Sequence, residues 1–82
     1  MIRVELLFFA QIREAVGHRS ERVEIEDGTT VEDLVNVLRR RPEWRAVESL
    51  PLRFAVNERV VDSGYTLCDG ERLALLTPVS GG

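Results

Sequence analysis

Thr29-Thr30-Val31-Glu32-Asp33-Leu34-Val35-Asn36-Val37-Leu38-Arg39-Arg40-Arg41-Pro42 carries the strongest periodic signal in the chain. Val31, Leu34, Val35 and Leu38 fall at i, i+3, i+4 and i+7, so one helix face is apolar and needs a surface to cover it. Thr30 with Asp33, or Thr29 with Glu32 one residue earlier, supplies an N-terminal capping box. Three arginines complement the negative C-terminal end, and Pro42 cannot extend the pattern, which predicts a helix stopping at about Arg41.

The flanking segments read as strands. Upstream, Ile2, Val4, Leu6 and Phe8 alternate with Arg3, Glu5 and Leu7, the period of a strand with one buried face. Phe9, Ile12 and Val16 then recur at helical spacing, and Gly17 can supply the left-handed residue that ends a short helix. Val23 and Ile25 alternate with charged residues before the turn pair Asp27-Gly28. Downstream, Trp44, Val47 and Leu50 mark one more helical turn. Phe54 and Val56 begin a strand, Asn57-Glu58 turns into Val60 and Val61, and Asp69-Gly70 turns into a last strand from Arg72 to Thr77.

One main helix laid across a mixed sheet covers all these patterns, an α+β arrangement of β-grasp type occupying residues 1–77, with 78–82 as an extended tail. A single helix leaves the sheet's other face partly bare. Leu7, Leu76 and Val79 would project there or at its end, and an uncovered apolar patch marks a docking surface for another protein.

Composition narrows the chemistry. The 82 residues bear a formal charge of −3, and all eleven basic residues are Arg. Nucleic-acid binding is carried by a cationic surplus that this chain lacks, and Schiff-base or lysine-base mechanisms have no residue to use. Cys68 is the only cysteine, which excludes an internal disulfide and fits a reducing cytoplasm. The longest apolar run, Leu6 to Ala10, falls far below the roughly 20 residues of a membrane span. His18 follows Gly17 in a loop and reads as a surface residue; Cys68, without a basic neighbour, reads as a small core residue. The carboxylates are scattered, with no calcium-loop or His-x-x-His spacing, so no metal is expected. Dipole complementarity and solubility account for the triple Arg.

The C-terminal sequence Pro78-Val79-Ser80-Gly81-Gly82 remains. At about 7% Gly per position, a closing Gly-Gly arises by chance in roughly one chain in 200. Two residues without Cβ make a thread thin enough for a narrow channel, and five extended residues reach roughly 17 Å. A carboxylate with an unperturbed pKa of about 3.5 is a poor acyl donor at neutral pH. Using it requires activation to a mixed anhydride, which implies an ATP-consuming partner.

Phe8-Phe9-Ala10 with Arg13-Glu14 and Gly17, then Thr30-Val31 with Leu34, Ala55-Val56-Asn57, Asp69-Gly70-Glu71 and finally Pro78 to Gly82, resemble the landmarks of the small subunit of molybdopterin synthase. The resemblance spans essentially the whole chain. It implies a ubiquitin-like sulfur carrier whose Gly82, preceded by Gly81, is adenylated by an E1-like activating enzyme using ATP and Mg. A sulfur donor enzyme would then convert it to a thiocarboxylate. The large synthase subunit would receive the tail in a heterotetramer and pass sulfur to cyclic pyranopterin monophosphate, with Phe8, Leu76, Pro78, Val79 and Ser80 contacting the partner. No cofactor is expected on the carrier itself. Thr77 departs from the family, which often has a second proline there. Carriers of the same fold serving thiamine, tRNA thiolation or cysteine synthesis, and ubiquitin-like protein modifiers, need the same fold and tail and stay open.

Overall fold

Strict alternation in β1 (Ile2–Phe8) sends Val4, Leu6 and Phe8 into the core and leaves Arg3, Glu5 and Leu7 on the opposite face. The computed structural model describes residues 1–78. After β1 the chain turns at Ala10, which has a φ of 48°, into α1 (Ala10–Val16). Gly17 closes this helix at φ 87°, a conformation that would crowd any Cβ, and its N–H donates to the Arg13 carbonyl. Then follow β2 (Ser20–Ile25), α2 (Val31–Leu38), a 3₁₀ helix (Pro42–Val47), β3 (Arg53–Val56), β4 (Arg59–Val61) and β5 (Arg72–Leu76).

The five strands form one sheet in the order β2-β1-β5-β3-β4. Only β1 and β5 run parallel; β1 with β2, β3 with β5 and β3 with β4 are antiparallel. First and last strands thus lie side by side near the centre, and the chain between them carries the helices that share one core. Val31, Leu34, Val35 and Leu38 of α2 pack with Leu6, Leu73, Leu75 and Trp44 in one core. Burying each such aliphatic side chain contributes about 1.5–3 kcal/mol. No helix among the described residues is long and apolar enough to cross a membrane.

Local chemistry fixes the ends of α2. The Thr30 hydroxyl accepts from the Asp33 N–H, and the Asp33 carboxylate accepts from the Thr30 N–H, both at 3.1 Å. Thr29 instead donates its hydroxyl proton to the Glu26 carbonyl, so the later of the two possible boxes forms. The helix ends at Leu38, not near Arg41. Arg41 is already extended as the N-cap of the 3₁₀ helix, because Pro42 disfavours helical backbone in the residue before it. The arginines accordingly do more than face a dipole. Arg39 donates to the carbonyls of Glu48 and Leu50, and Arg41 pairs with Glu21 of β2 at 2.8 Å.

Candidate functional site

Among the described residues the helices cover one face of the sheet and leave the other open. Register places Leu7, Ala74, Ala55 and Val60 in a single row across β1, β5, β3 and β4. All four point away from the core, and Val60 is 81% exposed. Ala74 and Ala55 are direct partners, and two such small side chains at the centre leave a depression of about 640 Å³ between Leu7, Phe9 and the Asn57-Glu58 turn. That turn is a two-residue hairpin loop with φ of 48° and 73°, and Asn57 tolerates the left-handed region better than Glu58 does. Charge frames the apolar row. Arg72 pairs with Glu5 at 3.1 Å on one side, and Arg53 lies opposite Leu76 on the other.

β5 runs through the middle of this face between β1 and β3, and its start is tied on two sides. Arg3 N–H donates to the Asp69 carboxylate at 2.8 Å, and Gly70 N–H donates to the Arg3 carbonyl at 2.7 Å. Gly70 has a φ of 82°, which glycine alone adopts without strain. The Glu71 carboxylate accepts from the Tyr65 hydroxyl and the Cys68 N–H, both at 2.6 Å. That accepted hydrogen bond, with partial burial and the negative charge of Glu71, raises the Tyr65 pKa above its usual value. On the β3 side, Arg72 N–H donates to the Asn57 side-chain oxygen and Asn57 N–H to the Arg72 carbonyl, both at 3.0 Å. Leu76, paired with Arg53, ends β5 one residue past the Phe8–Leu75 pair that closes the parallel ladder.

The expected partner-contacting residues divide. Leu76 is half-buried on the open face, and Pro78 is exposed just beyond it. Phe8 is a correction: at 2% exposure it belongs to the core, edge-on to His18 and to Trp44 with ring centroids 5.5 and 5.8 Å apart. Its parity in β1 is that of Val4 and Leu6, so it cannot meet a partner. Phe9, expected on the buried face of α1, is instead the extended N-cap and 45% exposed, and it borders the depression. Cys68 is exposed, not a core residue, because it sits in the loop held by Glu71. His18 is exposed, as expected of a surface residue, and lies 3.3 Å from Glu21. Val79, Ser80, Gly81 and Gly82 lie outside the described residues. Sequence reading missed Ala55, Ala74 and Val60 as one surface. Their alternation was visible, but their adjacency depends on strand register.

A mixed five-stranded sheet with parallel central first and last strands, covered on one face by one main helix, defines a β-grasp, ubiquitin-like fold. The model of the ThiS family matches residues 6–82, and the chain belongs to that family. The Molybdopterin synthase sulfur carrier subunit of Escherichia coli is 38% identical over 81 residues, covering 96% of this chain and 99% of its own length. Among solved structures, the chain resembles the small archaeal modifier protein 1 of Haloferax volcanii at 26% identity and a TM-score of 0.80, covering 96% of this chain and all of that one. It shares its fold with a chain in the protein-protein complex of subunits 1 and 2 of molybdopterin-converting factor from Helicobacter pylori. There the identity is 24%, the TM-score 0.72 and the coverage 99% of this chain and 100% of that one.

Proposed function

We propose that this protein is a cytoplasmic sulfur carrier for molybdenum cofactor biosynthesis, with the Gly82 carboxylate as its working group. An E1-like enzyme consuming Mg-ATP adenylates Gly82, and a sulfur donor displaces AMP to leave a thiocarboxylate. The tail, Val79 to Gly82, then enters the large subunit of molybdopterin synthase and gives sulfur to cyclic pyranopterin monophosphate. The observation that carries this reading is the full-length similarity to molybdopterin synthase sulfur carrier subunits, at 38% identity for the Escherichia coli protein. Two features of the fold support it. The open face offers an apolar row, and β5, the last strand before the tail, crosses that face from a firmly held start. Leu7, Phe9, Leu76 and Pro78 take the partner-contacting role on that face, and Phe8 does not.

Co-expression with an adenylating enzyme and a sulfur source, followed by intact mass measurement, tests the proposal. The expected result is a gain equal to replacing one oxygen by sulfur, lost in Gly81→Val and on deletion of Gly82 while the domain stays folded. Retained activity in either variant would remove the tail from the mechanism. Similarity to the Haloferax modifier favours a second reading, attachment to target proteins through the same carboxylate. Isopeptide-linked adducts with unchanged free-protein mass would select it.

A further inference from the structure

Among the described residues β2 is paired on one side only, and its free edge is long, regular and self-complementary. Glu5 N–H donates to the Glu71 carbonyl and Gly70 N–H to the Arg3 carbonyl, so odd residues of β1 bond toward β5. Even residues of β1 therefore bond toward β2, as the Phe8 N–H to Arg19 carbonyl contact confirms at 2.8 Å. The residues facing them across the pair are Glu21, Val23 and Ile25. It follows that Arg22 and Glu24 point their N–H and C=O groups outward from the sheet edge.

We propose that two copies of this chain join through antiparallel β2 strands into a ten-stranded sheet, with Val23 at the two-fold axis. Backbone phase allows three nearby registers. Placing Arg22 opposite Arg22, or Glu24 opposite Glu24, sets like charges face to face on the exposed side. The register centred on Val23 sets Arg22 opposite Glu24 twice.

That register also continues a charge pattern already built into each sheet. Within one copy, Arg72 pairs with Glu5 at 3.1 Å, and Glu5 lies opposite Arg22. In a parallel row, Arg3 pairs with Glu24 at 3.2 Å. Joined at Val23, the two rows become Arg72, Glu5, Arg22, then Glu24 and Arg3 of the second copy, alternating in sign throughout. On the helix side Glu21 would face Ile25 of the second copy, and its carboxylate is already paired with Arg41 and lies within hydrogen-bond reach of His18. The exposed side chains of Met1 and Val37 flank the same edge beside Val23 and Ile25, adding apolar area. The opposite edge, β4, has three residues and offers too short a ladder. A two-fold axis normal to the sheet leaves both open faces on one side and both β5 ends free, so association does not compete with docking there.

Sedimentation equilibrium of the full chain from about 10 μM to about 1 mM spans the range expected of a small interface. The expected result is an average mass rising toward twice that of one chain. Arg22→Glu and Glu24→Arg should each raise the dissociation constant about tenfold or more, because both contacts become repulsive. Mixing the two variants restores opposite charges at both contacts and should return the constant to within about threefold of the original. Backbone amide exchange gives a separate readout: Arg22 and Glu24 should be protected increasingly with concentration, Val23 not. A chain monomeric at the highest concentration would overturn the proposal. So would a dimer unaffected by either reversal, or variants that fail to recombine although each is folded by circular dichroism.

Discussion

The two faces of this one sheet differ in what surrounds them more than in what composes them. Leu73 and Leu75 of β5 are fully buried under the helices, whereas Ala74 between them lies on the open row. The covered face holds the energy of folding; the open face is free to be spent on recognition because little of the fold depends on it. The same division separates Phe8, locked between His18 and Trp44, from its exposed neighbour Phe9.

Substitutions on the two faces should therefore behave in opposite ways. The largest effect is expected from Trp44→Ala, which empties a site sealed against Phe8 and should cost about 3–5 kcal/mol in urea unfolding. A loss under about 1 kcal/mol would mean the 3₁₀ segment is not integral to the core. Thr30→Ala removes one half of the capping box, with an expected loss of about 1 kcal/mol by the same measurement. Ala74→Arg probes the open side. Stability should shift by no more than about 0.5 kcal/mol, while the dissociation constant of the proposed complex with a large synthase subunit rises about tenfold or more. Equal binding by wild type and variant would exclude this face from docking.

The smallest effect lies at the root of β5. Because the folded-state pKa of Tyr65 is raised, the native protein holds the phenolic proton more tightly than the unfolded chain does. That stabilisation is complete below the ordinary tyrosine pKa of about 10 and is lost as pH rises through the folded value. Tyr65→Phe should flatten the alkaline decline in thermal unfolding. An unchanged slope would show that the Glu71 hydrogen bond is not maintained in solution.

Periodicity and turn signals together located the strands and helices among the described residues, because alternation and the 3.6-residue repeat report which side chains must leave water, and turn pairs mark where short strands such as β4 begin. The boundaries were less legible. α2 stops at Leu38 because Pro42 acts on Arg41 and a new 3₁₀ turn begins there, while the arginine run alone suggested continuation. Phe8 and Phe9 exchanged roles for a related reason: both are aromatic, and only the end of β1 fixes which one remains in strand phase. The row on the open face was harder still, since Leu7, Ala74, Ala55 and Val60 are scattered over more than fifty positions of sequence.

Sequence by itself determined the β-grasp class and the capped helix, both of which are local patterns. Only the tertiary structure decided which apolar residues share the open face and which groups of β2 face outward at the edge. Both follow from strand order and register, which arise when distant segments pair and are written in no single stretch of the chain.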